Sequence, residues 1–466
     1  MRAATALAID LGSSSGRIIA GTLSDGRIVE TEIHRFAHQA SMVDGYLCWD
    51  LDLIWRETVA GLRLALQQFP DAATVSVDTW GVDWVALAAD GNRLTPGRAY
   101  RDERTTRTLA QFRERLSDEQ AWQLTGIAPA TINTANQLFA YLTEEPQLAA
   151  ATSRVLLLPD YLNYLLTGQA GWSRSHASTS GMCRPGAQEW SDEVLNALGI
   201  PRTWLGDITD EHTVVGPCRI EGLEQLKVVR AGAHDTACAV QALRRDGDDA
   251  YFLSSGSWSV LGVLRDEPLL TDQARAIGLT NEAQAEPGVR PLFNITGLWI
   301  LQECQRNWEA SGETSDIVEL IQLAEQAAPV GYLIDPDEPQ FAQPGDMVGR
   351  IAAALQAQGW QGELSVGQIV RTVLESLAAR YARGIAALEE LTGSKATSLN
   401  VMGGGSRNQL LCQLTATALG IPVYAGPAEA STLGSLLAQF MISGDLAAQD
   451  RNQVLATSAQ LVRYEP

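Results

Sequence analysis

Three glycine- and hydroxyl-rich loops, each directly after an apolar strand-like run, stand far apart in this chain: AIDLGSSSG at Ala8–Gly16, YFLSSGSWS at Tyr251–Ser259 and VMGGGSRN at Val401–Asn408. A strand that ends in small residues lets backbone N–H groups come close to a polyphosphate, because glycine carries no side chain and adopts positive φ readily. Three such turns have the form of a divided phosphate cradle. The fold must therefore build the same kind of strand end repeatedly, as a nucleotide-using enzyme does.

The intervening sequence alternates between strand and helix patterns. Ala6–Asp10 and Arg17–Gly21 read as strands joined by the first loop, Leu53–Phe69 repeats apolar residues at helical spacing, and Thr74–Asp78 is a further strand. This alternation predicts an α/β architecture in which helices cover sheets and reactive residues lie at the carboxyl ends of strands. Late in the chain, Thr372–Leu391 reads as an amphipathic helix capped by Gly393, Ser398–Met402 as a strand and Asn408–Leu419 as another helix. The third loop then sits between a strand and a helix N-terminus. The charged, turn-prone stretch Arg244–Asp248 marks a composition shift and sets expected domains at 1–245 and 246–466. Each half opens with a strand, a Gly/Ser turn and a returning strand, Leu7–Ile19 and Tyr251–Leu264, which reads as a duplicated pattern. Two unrelated hairpins would give the same spacing.

Composition narrows the class. With 466 residues, 45% of them hydrophobic, there is material for two or three packed cores. The net charge of −21, without any basic run, gives no footprint for nucleic acid or an anionic membrane. Neither a basic leader before the first strand nor an uninterrupted apolar stretch of about 20 residues is present, so a cytoplasmic protein is expected. Cys48, Cys183, Cys218, Cys238, Cys304 and Cys412 show no CxxC spacing, which argues against a zinc site or a disulfide framework and for reduced, mostly buried thiols. No GxxxxGK[ST], complete GxGxxG or HExxH occurs, so Walker-type, dehydrogenase and zincin chemistries lack support.

Single residues carry the remaining signal. Asp10 ends the first strand before the glycine turn, where a carboxylate serves either a metal or an ordinary turn. In DTWGVDW, Asp78–Trp84, a turn at Gly81 with Asp78 and Asp83 can hydrogen-bond sugar hydroxyls while Trp80 or Trp84 offers an apolar face; a core strand with a bulge would have the same composition. Asp235, in GAHDTACAV, precedes a helix-like run, the usual place of an N-cap.

Taken in order, AIDLGSSSGR (Ala8–Arg17), DTWGVDW, AYRDERT (Ala99–Thr105), PDYLNYLLTG (Pro159–Gly168), GAHDTACAV (Gly232–Val240), SSGSWS (Ser254–Ser259) and GPAEASTLG (Gly426–Gly434) resemble the FGGY carbohydrate kinases over nearly the whole chain. The resemblance implies two ribonuclease-H-like domains of the actin and sugar-kinase superfamily around a nucleotide cleft. It also implies an ATP-dependent phosphotransferase using Mg2+, with a small ketose and Mg-ATP as partners, and a monomer or homodimer. Asp235 matches the family's proton acceptor, and Asp10 a metal-associated position. By the same likeness Ser13, Ser14, Ser15, Gly16 and Arg17 wrap phosphates, and Gly256 and Ser257 form an opposing clamp. Gly403 and Gly404 underlie adenine and ribose, and Gln302 is a further nucleotide contact. The family commonly has threonine where Ser257 stands, and serine keeps the hydroxyl. Gly81, Asp83, His234, Asp235, Thr236 and Asn294 are expected at the sugar. DTWGVDW, HDT and NITGLWILQ (Asn294–Gln302) are most similar to the branch that phosphorylates L-rhamnulose in L-rhamnose catabolism. The alternatives are a kinase of L-fuculose or another ketose, or a non-catalytic sugar- or nucleotide-binding regulator of the same fold.

Overall fold

The computed structural model describes residues 4–243 and 250–466. The boundary expected between 245 and 246 lies outside the described residues. Two compact units emerge: the first runs to Leu243 and takes in Arg265–Pro291 and Ala430–Ser458, while the second holds the residues up to Leu264, Leu292–Glu429 and Ala459–Pro466.

The first unit is built on strands β1 (Ala4–Leu11), β2 (Ser15–Ser24), β3 (Arg27–Ala37), β4 (Thr74–Thr79), β5 (Thr213–Pro217) and β6 (Lys227–Arg230) in the order β5-β6-β4-β1-β2-β3. The strands β1, β2 and β3 are antiparallel neighbours, β4 and β6 run parallel with β1, and β5 is an antiparallel edge. Leu7, Ile9, Val75 and Val77 are almost wholly buried, as expected of central strands covered on both faces. Helix α1 (Leu51–Gln68) is started by the Asp50 side chain, which accepts from Leu53 N, and it turns Leu51, Ile54, Leu62 and Ala65 inward at helical spacing.

The second unit repeats this order. Strands β7 (Ala250–Ser255), β8 (Trp258–Leu264), β9 (Val289–Thr296, its first three residues counted with the first unit), β10 (Leu399–Met402), β11 (Val423–Ala425) and β12 (Val462–Tyr464) follow β9-β8-β7-β10-β11-β12, and this sheet carries a seventh strand, Thr280–Ala283, beside β9. An antiparallel meander leads again, two parallel strands follow and an antiparallel strand closes the edge. The duplicated hairpin pattern read in the sequence is thus a duplicated sheet.

The helices expected here also form. After α2 (Asp235–Ala239) and α3 (Trp299–Ser311) come α4 (Val366–Thr392) and α5 (Gln409–Leu419). A capping box of Ser365 and Gln368 opens α4, and Gly393 ends it at φ 71°, a left-handed conformation that glycine adopts without strain. Asn408 caps α5. Helix α6 (Ala430–Ser443) belongs to the first unit despite its late place in the chain. There Gln439 bridges two strands, donating to Leu7 O at 2.9 Å and accepting from Thr74 Oγ1 at 2.8 Å. A Cβ on Gly434 would lie 1.9 Å from Cys238 O, so only glycine lets α6 approach α2 this closely.

Candidate active site

Three neighbouring parallel strands of the first unit, β6, β4 and β1, end in acids: Asp235 beyond β6, Asp78 in β4 and Asp10 in β1. Register sets Asp10 opposite Asp78. A bridge between Thr79 and His234, with Thr79 N donating to Ala233 O at 3.0 Å, sets Asp235 beside the end of β4. This is the strand-end location where open α/β sheets carry their ligands.

Each acid has a different environment. The Oδ2 of Asp10 accepts from Arg17 Nη2 at 2.5 Å, from Ser431 Oγ at 3.0 Å and from Thr432 Oγ1 at 3.2 Å. Asp78 is fully buried, with the Cys238 thiol beside its carboxylate. Burial, reinforced by the charges of Asp10 and Asp235, pushes its carboxyl well above the usual range. Asp235 is the accessible member, its side chain 35% exposed. Its Oδ1 accepts from Thr236 N at 2.5 Å and Thr236 Oγ1 at 3.1 Å, with His234 Nε2 at 3.3 Å.

The segment that carries Asp235 is tied down from beneath. Ser175 Oγ accepts from Ala233 N at 3.3 Å and His234 N at 3.4 Å, and Ser175 N donates to Glu211 Oε1 at 2.8 Å. Burial drives the Glu211 carboxyl up to about 7.

Across from this segment, the turn of DTWGVDW has its positive φ at Val82, 68°, rather than at Gly81. A β-branched residue in that region is strained, and its carbonyl is held by Thr134 Oγ1 at 2.6 Å and Gln137 Nε2 at 3.2 Å. Gly81 is needed for another reason: a Cβ there would lie 3.0 Å from His234 Nε2. Asp83 turns inward, where Trp49 Nε1 and Trp80 Nε1 both donate to Oδ2, at 2.6 and 2.7 Å. Burial raises its carboxyl to about 6. The fold therefore uses Asp83 inside the protein, whereas Gly81, His234, Asp235 and Thr236 converge.

The first phosphate-type loop leaves Ser13 and Ser14 exposed, with the turn closed by Gly12 N donating to Ser15 O at 3.0 Å. Gly16 serves packing, because a Cβ on it would lie 2.3 Å from Phe36 Cζ. Arg17 stands opposite Asp10 in register and is paired with it.

In the second unit the structure joins two of the expected residues: Ser257 Oγ donates to Gln302 Oε1 at 2.8 Å. Gly256 O accepts from Leu298 N at 2.9 Å, which fixes the start of α3 against the β7–β8 turn. Gly403 has φ 80°, and a Cβ on it would lie 2.8 Å from Ser255 O. Gly405 is equally constrained, whereas a Cβ on Gly404 would meet nothing within 4 Å. Asn294 is exposed on β9 opposite Val260, in the second unit.

Sequence reasoning missed the supports of the site. Ser175 and Glu211 give no local signal, and Ser431 and Thr432 stand in GPAEASTLG, from which no contact with Asp10 was read. Glu282 and Arg290 form a buried ion pair at 2.8 Å beside His234. A lone arginine in the apolar run VRPLFNIT of β9 was the available hint, since a buried cation needs a partner.

The fold is thus a duplicated α/β architecture with acids at one set of strand ends and small, uncharged turns at the other. Family models for the N-terminal and C-terminal domains of the FGGY carbohydrate kinases match residues 5–241 and 251–443, so the chain belongs to the FGGY family of carbohydrate kinases and is an ATP-dependent sugar kinase. It is 36% identical to a rhamnulokinase of Bacteroides thetaiotaomicron, covering 98% of this chain and 95% of the relative. It is likewise 36% identical to a rhamnulokinase of Klebsiella pneumoniae, over 99% of this chain and 94% of the relative. Among solved structures, a gluconate kinase from Lactobacillus acidophilus superposes with TM-score 0.82 at 17% identity, over 100% of this chain and 94% of that one. A Plasmodium falciparum glycerol kinase with ADP gives 0.79 at 14%, over 99% and 94%. Those two likenesses concern the fold alone. Among the described residues no helix is long and apolar enough to cross a membrane.

Proposed function

We propose that this kinase converts L-rhamnulose to L-rhamnulose 1-phosphate with Mg-ATP. The near full-length likeness to two rhamnulokinases carries the choice of sugar. In this reading Asp235 accepts the proton of the C1 hydroxyl as that oxygen forms its bond to the γ-phosphorus, and the bond to the β-γ bridging oxygen breaks to release ADP. Hydrogen bonds within the protein go to Asp235 Oδ1, so Oδ2 is the oxygen left to take the proton. Gly81 leaves room beside His234, and Thr236 orients the base. Ser13 and Ser14 contact phosphate in the first unit. Ser257, Gln302, Gly403 and Gly404 contact nucleotide in the second, where Gly404 is the glycine that no packing demands.

Among the described residues no group of three or more His, Cys, Asp or Glu side chains is arranged to hold a metal. Mg2+ needs no such cage, since it commonly rests on one or two carboxylates plus substrate phosphates. Asp10, opposite Asp78 in register, fits that demand. Mg2+ bound there would neutralise charge on the transferred phosphoryl group. Six buried cysteines, none in a disulfide, suit a reducing cytoplasm.

The test is ADP release from Mg-ATP with L-rhamnulose, L-fuculose, L-ribulose, D-xylulose, glycerol and no sugar. Selective turnover of L-rhamnulose is expected. Turnover of another ketose would keep the mechanism and replace the substrate, and ATP binding without turnover of any sugar would favour a regulator.

A further inference from the structure

We infer that Arg290, anchored by Glu282, is a positioning residue that locks His234 in the Nε2–H tautomer and so makes it an obligate hydrogen-bond donor to the sugar. The inference rests on the reading of His234 as a sugar contact.

The Arg290 side chain is fully buried. Its Nη2 lies 2.6 Å from His234 Nδ1 and 2.8 Å from Glu282 Oε2, and its Nε donates to Ala283 O at 3.1 Å. A guanidinium nitrogen only donates, and Nη2 has two hydrogens, one for each partner. At 2.6 Å, His234 Nδ1 must be the acceptor, because two N–H groups cannot face each other at that distance. A neutral imidazole that accepts at Nδ1 carries its hydrogen on Nε2.

That hydrogen points to the reactive side. Nε2 lies 3.3 Å from Asp235 Oδ1 and beside the space that Gly81 keeps open. A sugar oxygen entering there meets a donor on His234 and an acceptor on Asp235. The two residues then read opposite ends of the hydroxyl pattern, and a ligand offering a donor where His234 expects an acceptor is rejected.

Without Arg290 the ring has a competing state. Glu282 Oε2 is 3.5 Å from His234 Nδ1, and a carboxylate there would draw the hydrogen onto Nδ1. Arg290 occupies Glu282 and presents its own hydrogen instead. The other neighbour is His176, its ring centroid 6.1 Å from that of His234, held neutral by burial with its pKa near 3. It does not compete for the Nδ1 proton. Both members of the ion pair come from Arg265–Pro291, the segment that returns to the first unit after the chain has entered the second.

The experiment combines nitrogen NMR of imidazole-labelled full-length protein with steady-state kinetics of Arg290→Met, Arg290→Lys and the double variant Glu282→Gln/Arg290→Met. The chain has five histidines, so the ring signals can be assigned by single substitution. His234 of the unaltered protein should show the Nε2–H pattern, and Arg290→Met should populate Nδ1–H. The ketose KM should then rise about three- to tenfold, the scale of one lost neutral hydrogen bond, with the ATP KM unchanged. Arg290→Lys, which still only donates, should restore the tautomer in part. The double variant removes the carboxylate together with the cation, so the Nε2–H pattern should return there if Glu282 is what draws the hydrogen onto Nδ1. An unchanged Nε2–H pattern in Arg290→Met overturns the inference, and so does a complete shift to Nδ1–H in Arg290→Lys, which stands in if Arg290→Met does not fold. A changed tautomer with an unchanged ketose KM would instead remove His234 from the sugar site.

Discussion

The two sheets share one strand order and differ in what stands at their ends. In the first unit β1, β4 and β6 lead to Asp10, Asp78 and Asp235, whereas in the second β7, β10 and β11 end at Ser255, at Met402 before Gly403 and at Ala425 before Gly426. Adjacent carboxylates suit a cation and a proton transfer, and they would repel a polyphosphate. Small uncharged ends let backbone N–H groups approach one. The comparison teaches that a duplicated scaffold divides its labour by strand-end residues, with no change of topology.

The sharpest way to break this division is Asp235→Asn. Turnover should fall by about 10²- to 10⁴-fold, the usual contribution of a general base, while ATP affinity stays close to that of the unaltered protein. Retained ADP release would remove the base role from the first sheet.

The corresponding blow to the second sheet is Gly403→Ala. Its φ of 80° and the Ser255 carbonyl 2.8 Å from a Cβ should make the change cost about 1–3 kcal/mol, read as lower melting temperature and weaker ATP binding. Gly404→Ala, with open space around it, should leave melting within about 0.5 kcal/mol. Equal melting losses at the two positions would show that strand-end geometry is not the constraint.

The acids of the first unit should also leave a mark on pH dependence. The folded protein holds the Glu211 proton up to about 7, whereas the unfolded chain releases it near 4.5. Between those values the unfolded state binds fewer protons, so stability falls as pH rises. Glu211→Gln keeps the acceptor for Ser175 N and should flatten that slope, a change on the order of 1–3 kcal/mol across the window. Denaturant unfolding at pH 5 and pH 8 measures it, and an unaltered slope would contradict the burial of this acid.

The smallest effect is expected from Ser257→Ala. Losing its hydrogen bond to Gln302 should weaken ATP binding by about 0.5–1.5 kcal/mol, a few-fold in KM, with the sugar KM unmoved. A shift in the sugar KM alone would place Ser257 on the wrong side of the comparison.

Much of this was legible from residues close in sequence. The hairpins around the first two loops, the capping of α4 by Gly393 and of α5 by Asn408, and the strand that ends at Asp10 all follow from turn chemistry and periodicity. Asp83 was not legible in its actual setting. DTWGVDW reads equally as a sugar-facing turn, and only the indoles of Trp49 and Trp80 show where its carboxylate goes.

The sequence by itself determined the element types, the repeated strand-loop-strand unit and the residue chemistry at each strand end, because these depend on neighbours within about one turn of chain. Tertiary structure alone decided that Arg265–Pro291 and Ala430–Ser458 complete the first unit, that Ser431 and Thr432 hold Asp10, and that Arg290 faces His234. Those pairings join residues far apart in the chain. They are selected by packing and by the demand of buried polar groups for partners, which no local pattern encodes.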